Sequence, residues 1–137
     1  MSRRDVLRAG AASALLPLPA IAQNAPPHVV VVGGGFAGAT CARQAKALAP
    51  NAQVILVEAN TIFTACPFSN SVIAGLRELK DQQFNYQALG DAGVGVIFQS
   101  ATRVDPQARS VTLGDGTVLP YDRLVLAPGI DIRWDGL

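Results

Sequence analysis

The chain has 137 residues; half are hydrophobic, 15% are charged and the formal net charge is +1. This near-neutral balance, with no basic patch, argues against nucleic-acid binding. The two cysteines and the single histidine form neither a CxxC motif nor a cluster, so we expect no disulfide scaffold and no bound metal.

The first segment has the composition of an export signal. Adjacent arginines, Arg3 and Arg4, precede an almost uncharged stretch, residues 9–22, which closes in an A-x-A cleavage motif. The stretch is too short to span a bilayer, and two prolines would interrupt a spanning helix. We expect residues 1–22 to be a twin-arginine signal peptide and residues 23–27 a linker. The protein is then periplasmic and has no stable membrane insertion; a retained amphipathic anchor is the alternative.

A glycine-rich motif, GxGxxG, follows the first predicted strand and opens the first predicted helix. The first glycine permits a tight turn, the second lets the backbone approach a pyrophosphate, and the third lets helix and strand pack closely. Unpaired N–H groups at the helix start, with the helix dipole behind them, favour phosphate. We therefore expect a dinucleotide pyrophosphate at Gly33, Gly35, Phe36, Ala37 and Gly38.

An acidic residue ends the second predicted strand. Glu58 lies 20 residues beyond Gly38, where a carboxylate can accept hydrogen bonds from the ribose hydroxyls of an adenine dinucleotide. A GxGxxG pattern alone is a weak signal, but strand, glycines, helix, strand and acid in close succession favour a dinucleotide-binding unit. The alternative is a glycine-rich turn without a ligand.

The remaining segments predict a single α/β domain. Strands are expected at residues 28–32, 53–58, 94–99, 101–105, 110–113, 117–119 and 121–126. Helices are expected at residues 36–48, 71–75 (capped by Ser69 and Asn70) and 82–89. A Gly-Asp-Gly turn at residues 114–116 predicts a hairpin. The order predicts a Rossmann-like fold over residues 28–137, with a parallel sheet and a small antiparallel β-meander.

This order closes in the small-residue turn Ala127-Pro128-Gly129 and resembles the first half of the FAD domain of the two-dinucleotide-binding flavoproteins, the pyridine nucleotide-disulphide oxidoreductase superfamily. The resemblance covers residues 28–131 and implies that Ala127 and Gly129 belong to the cofactor site. In that superfamily a second nucleotide-binding domain, a returning strand and a C-terminal domain follow. We therefore expect this chain to be truncated before the second nucleotide-binding domain, with no catalytic residue of its own.

The segment around Cys66 narrows the resemblance. Residues 60–75 read N-T-I-F-T-A-C-P-F-S-N-S-V-I-A-G and look like the flavoprotein subunit of flavocytochrome c sulfide dehydrogenase. In that family a cysteine here carries the flavin through a thioether to its 8α-methyl group. The resemblance implies covalent FAD at Cys66, with Pro67 beside it, sulfide as the substrate and a c-type cytochrome subunit as the electron acceptor. The redox-active disulfide of that family would lie beyond residue 137.

Its position in the chain also makes Cys66 a candidate for the attachment of a flavin. It follows the second strand, at the carboxyl edge of the sheet, where ligands of open α/β folds bind. A thiolate held against a flavin can add to the electrophilic 8-position of its methide tautomer. The alternatives are a buried inert cysteine, or half of a dithiol whose second cysteine is missing. We expect Cys41 to pack on the sheet, and Tyr86 and Tyr121 to be core or rim aromatics.

Other functions stay open at this stage. An exported sulfide:quinone reductase or a type II NADH dehydrogenase-like flavoprotein would deliver electrons to quinone. A truncated dinucleotide-binding module would have no activity. By resemblance, the complete protein oxidises sulfide and passes electrons through FAD to the cytochrome, and these residues supply only the FAD cradle.

Overall fold

The computed structural model describes residues 25–130 and 134–136, so the predicted export signal lies outside the described residues and stays a prediction. The strands are β1 His28–Val32, β2 Gln53–Glu58, β3 Phe63–Thr64, β4 Gln83–Phe84, β5 Gly95–Phe98, β6 Ala101–Asp105, β7 Ser110–Leu113, β8 Val118–Pro120 and β9 Arg123–Leu126. The α-helices are α1 Phe36–Leu48, α2 Ser69–Ile73 and α3 Gln87–Asp91, and short 3-10 helices cover Leu79–Gln82 and Trp134–Gly136.

A four-stranded parallel sheet in the order β5-β2-β1-β9 forms the centre of the fold. In the middle of the sheet, Val31 of β1 pairs with Leu56 on one side and Val125 on the other. The inner strands are nearly continuous apolar runs because both faces of a parallel sheet are covered. This sheet, together with the antiparallel β6-β7-β8 meander, confirms the predicted Rossmann-like α/β fold.

Successive residues of β1 enter different hydrophobic clusters, as the two-residue period of a strand requires. Val31 packs with Ala42 of α1 and Leu89 of α3 on one face of the sheet. Val30 packs with Val111 of the meander on the other face. The fold therefore has three layers, with helices on one face of the parallel sheet and the antiparallel meander on the other.

The predicted helix over residues 82–89 is wrong for most of its length. The strand β4 forms within this range and pairs antiparallel with β3, Gln82 ends a 3-10 helix, and the α-helix α3 begins only at Gln87. Main-chain groups used in the β3–β4 pair are not available to a helix. Asn85 then accepts the N–H of Gln87 through its Oδ1 at 3.1 Å, a local hydrogen bond that favours a helix start at this point. The first predicted helix and all the predicted strands are present, with ends that differ from the prediction by up to two residues.

The predicted cap of the second helix is also wrong. Ser69 and Asn70 lie inside α2, which begins after Phe68, and no side chain caps it. The N–H of Ser69 donates to the main-chain oxygen of Cys66 at 3.1 Å, so the preceding turn leads directly into the helix. Phe68 has a φ of 68°, in the left-handed region, which costs a non-glycine residue on the order of 1 kcal/mol.

Two absences hold for the part of the chain that the structure describes. None of its helices combines the length and the hydropathy needed to cross a bilayer. No group of three or more His, Cys, Asp or Glu side chains is placed to hold a metal ion.

Candidate functional site

Three backbone segments meet closely at the carboxyl end of β1. Gly33 has a φ of 97°, and a Cβ on it would overlap the carbonyl oxygen of Ala127. A Cβ on Gly38 would overlap the carbonyl oxygen of Gly33. The N–H of Gly33 donates to the main-chain oxygen of Val57 at 2.8 Å, which ties the turn to the end of β2. Glycine is needed at both positions because the turn, α1 and the turn after β9 touch through their backbones.

The N-terminus of α1 is open. Gly35 is the N-cap residue, no side chain caps the helix, and its first turn contains no acidic residue. The nearest atom to a Cβ placed on Gly35 would be in the ring of Phe63, at 3.7 Å. The first N–H groups of a helix have no intrahelical acceptor, and the helix dipole adds positive potential there. This arrangement is suited to an anion such as a phosphate.

Glu58 lies beside the turn at the end of β2. Its Oε2 accepts the N–H of Gly34 at 2.6 Å, and its Oε1 accepts the main-chain N–H and the side-chain Nδ2 of Asn60 at 2.9 and 3.2 Å. A carboxylate has about four acceptor positions, so one remains for a further donor. Glu58 borders a cavity of about 410 Å³. This cavity is also lined by Asn60, Gln99, Ser100 and Pro128.

Tyr86 contacts the turn, which the sequence did not indicate. Its hydroxyl donates to the main-chain oxygen of Gly34 at 3.1 Å, and the side chain is only 7% exposed. Burial, aided by the negative charge of Glu58, raises the pKa of Tyr86 to about 12, so the hydroxyl keeps its proton at neutral pH. The sequence carries no signal for this contact, because 52 residues separate the partners.

Cys66 is exposed and lies in the turn between β3 and α2. Ala65 before it is buried, and its N–H donates to the main-chain oxygen of Gln82 at 2.8 Å. Cys41 is half-buried in α1, and both cysteines are free thiols. Cys66 is therefore not buried among the described residues.

An aromatic cavity of about 260 Å³ is lined by Ala65 and Pro67, the two neighbours of Cys66 in the chain. Its wall includes Phe36, Ala65, Pro67, Phe68, Gln82 and Phe84. The three phenylalanine side chains are 54–66% exposed, although large apolar side chains are more stable when buried. Gln82 is 2% exposed, and neither polar atom of its amide has a hydrogen-bond partner among the described residues. Exposed rings beside an unpaired amide are suited to a ligand that is mostly flat and apolar.

The remaining predicted site residues differ in their surroundings. Phe36, Ala37 and Pro67 are exposed, and the first and last of these line the aromatic cavity. Gly129 is also exposed, with a φ of 76° and no atom within 4 Å of the position that a Cβ would take. The structure therefore gathers the predicted residues around the start of α1 and the Cys66 turn, but leaves Gly129 in open space.

Comparisons with known proteins agree with this architecture. Over 45 residues, 33% of this chain and 94% of the other, the chain is 57% identical to the sulfide dehydrogenase (flavocytochrome c) flavoprotein chain of Chlorobaculum thiosulfatiphilum. Over 103 residues, 74% of this chain and 24% of the other, it is 31% identical to the sulfide-quinone reductase of Aquifex aeolicus.

Solved structures show the same relationship. The sulfide:quinone oxidoreductase of Aquifex aeolicus superposes with a TM-score of 0.73 at 29% identity, over 79% of this chain and 25% of that one. The water-forming NADH oxidase of Lactobacillus brevis superposes with a TM-score of 0.67 at 26% identity, over 75% of this chain and 25% of that one. The chain therefore spans about a quarter of the length of these relatives.

A family model described as pyridine nucleotide-disulphide oxidoreductase matches residues 27–134, nearly the whole of the described chain. The resemblance seen in the glycine motif and in the order of the elements is thereby confirmed, and the chain belongs to the pyridine nucleotide-disulphide oxidoreductase family.

Proposed function

We propose that this chain forms the FAD-binding part of an oxidoreductase that oxidises sulfide. The observation that carries the proposal is the open N-terminus of α1. On one side of it Gly33 lines the cavity that Glu58 borders, and on the other Phe36 lines the aromatic cavity, whose wall includes both neighbours of Cys66. In FAD a pyrophosphate joins an adenosine to a flavin. The cavity bordered by the carboxylate would hold the adenosine, and the aromatic cavity would hold the flavin. FAD supplies two-electron redox chemistry that can be passed on one electron at a time.

Each part of the site has a defined task in this proposal. The N–H groups of Gly35, Phe36 and Ala37 bind the pyrophosphate, helped by the dipole of α1. The remaining acceptor position of Glu58 receives a ribose hydroxyl. Gly33, with the turn after β9 packed against it, permits the tight turn, and Gly35 lets the backbone approach the pyrophosphate.

We further propose that Cys66 carries FAD through a thioether to the 8α-methyl group. The exposed thiol, the apolar cavity lined by its two neighbours in the chain and the 57% identity over 45 residues to a flavocytochrome c flavoprotein chain support this. A covalent bond would retain the cofactor in a compartment that offers no replacement FAD. The three phenylalanine rings of the aromatic cavity would exclude water from the flavin.

Denaturing mass spectrometry of the protein from its natural source, followed by peptide mapping, tests the covalent bond and FAD binding together. We expect flavin on the peptide that contains Cys66. The variant Cys66→Ser should release its flavin on unfolding, whereas the control variant Cys41→Ser should retain it. Free flavin with an unmodified Cys66 would disprove the thioether but leave FAD binding intact. Absence of flavin from the native protein would disprove both.

We also propose that the whole protein is exported through the twin-arginine pathway to the periplasm and passes electrons from sulfide to a c-type cytochrome subunit. The name of the Chlorobaculum relative, a flavocytochrome c flavoprotein chain, supports the cytochrome as the acceptor. The longer alignment and the structural similarity with sulfide:quinone reductases favour quinone as a second candidate acceptor. Reduction of cytochrome c or of a soluble quinone by sulfide, measured with the complete natural gene product, distinguishes them. Oxidation of NADH without oxidation of sulfide would contradict both.

A further inference from the structure

Gly34, the middle glycine of the turn, makes one hydrogen bond through its N–H and another through its carbonyl oxygen. The N–H of Gly34 donates to Oε2 of Glu58 at 2.6 Å, and its carbonyl oxygen accepts the Tyr86 hydroxyl at 3.1 Å. A Cβ on Gly34 would lie 2.5–2.8 Å from the hydroxyl and ring atoms of Tyr86. Tyr86 therefore packs directly on the backbone of the turn and also bonds to it.

The hydrogen bond to Tyr86 determines where the next N–H group points. Peptide bonds are trans throughout the described residues, and in a trans peptide the C=O and N–H groups point in opposite directions. Because the carbonyl group of Gly34 points to Tyr86, the N–H of Gly35 in the same peptide points away from it. Gly35 is the N-cap of α1, so this N–H belongs to the unpaired group at the helix start.

The backbone itself does not fix this orientation. Glycine adopts positive and negative φ about equally well, and three glycines follow one another in the turn. A flip of the Gly34–Gly35 peptide would turn an N–H away from the anion site and present a carbonyl oxygen to it. Tyr86 itself is well fixed, since it is buried in the core and its ring centroid lies 5.9 Å from that of Phe98.

We infer that Tyr86 is a positioning residue for the pyrophosphate of the dinucleotide. Its hydroxyl holds the Gly34–Gly35 peptide in the orientation that presents the N–H of Gly35 to the phosphates. Tyr86 acts through the backbone and does not need to touch the ligand. This inference rests on the proposed function, because it requires a dinucleotide at the start of α1.

The variant Tyr86→Phe tests the inference, because it keeps the ring and removes only the donor. Tyr121→Phe is the matched control, since Tyr121 is the other tyrosine of the chain and its hydroxyl has no partner among the described residues. All variants are made in the complete natural gene product and carry Cys66→Ser, so that FAD binds reversibly. FAD affinity, the ³¹P NMR signals of bound FAD and the unfolding midpoint without ligand are measured for each.

We expect Tyr86→Phe to raise the Kd for FAD about fivefold, because flipped peptides reduce the fraction of chains that can bind. This factor corresponds to the loss of one hydrogen bond of about 1 kcal/mol. The ³¹P signals of bound FAD should also move, whereas Tyr121→Phe should change neither quantity. A lower unfolding midpoint with unchanged Kd and ³¹P signals would mean that Tyr86 is merely structural and would overturn the inference.

The protein with Tyr86 intact gives a second test, which does not depend on the folding of Tyr86→Phe. In the Cys66→Ser chain, the amide proton signal of Gly35 should move downfield when FAD is added, since the N–H then donates to a phosphate. An unmoved Gly35 signal in a chain that binds FAD would contradict the inference alone. Failure of this chain to bind FAD at all would instead contradict the proposed function.

Discussion

Replacing Gln82 with methionine tests whether the aromatic cavity contains an unpaired polar group. Gln82 is 2% exposed and both polar atoms of its amide lack a partner among the described residues. A buried polar group without a hydrogen bond costs about 1–3 kcal/mol. Methionine is unbranched and apolar, and its flexible side chain can fill the same space. We therefore expect Gln82→Met to raise the free energy of unfolding by about 1–3 kcal/mol.

Urea unfolding followed by circular dichroism measures this change, with Gln83→Met as the control. Gln83 is the next residue and is exposed, so its substitution should change the free energy of unfolding by no more than about 0.5 kcal/mol. For a domain of this size, a gain of 1 kcal/mol also raises the melting temperature by about 4 °C. A loss of stability in Gln82→Met alone would show that the amide is paired in the folded chain, and would refute the reasoning.

Three further predictions concern other parts of the chain. Gly38→Ala should destabilise the fold by about 1–3 kcal/mol, because its Cβ would overlap the carbonyl oxygen of Gly33. The control Gly90→Ala should not destabilise the fold, since Gly90 lies in a helix with open space around it. Urea unfolding compares the two variants. Folding raises the pKa of Tyr86 from 10.0 to about 12. The free energy of unfolding should therefore fall as the pH rises through this range, with a slope that is steeper than that of Tyr86→Phe by up to about 1.4 kcal/mol per pH unit. Parallel pH curves for the two proteins would refute this. Replacing both Arg3 and Arg4 with lysine should abolish export, and cell fractionation that finds the protein still in the periplasm would contradict the twin-arginine interpretation.

The sequence predicted the first half of the fold well because its determinants are local. The strand β1, the glycine turn, α1, β2 and Glu58 follow one another within 31 residues, and each is specified by its own composition and spacing. The apolar runs of β1 and β2 predict a sheet that is covered on both faces. In the structure, the helices cover one face and the β-meander covers the other.

The segment after Cys66 was harder to predict because non-local pairing decides its structure. The strands β3 and β4 are two residues long each, so neither has a recognisable alternating pattern, and their mutual hydrogen bonds replace the predicted helix. Among the candidate site residues, those of the glycine motif follow from spacing. The contact between Tyr86 and Gly34 arises only when the start of α3 packs on the face of the sheet, and no local pattern encodes that.

The contact between Tyr86 and Gly34 also constrains how this family can diverge. Gly34 occupies the variable position of the GxGxxG pattern, where the fingerprint itself allows any residue. In this chain a side chain at position 34 would collide with the ring of Tyr86, so substitution of Gly34 should destabilise the protein while Tyr86 is present. The two residues should therefore change together during evolution. Homologues with a side chain at the position of Gly34 should have a smaller residue at the position of Tyr86, and should orient the turn by other means.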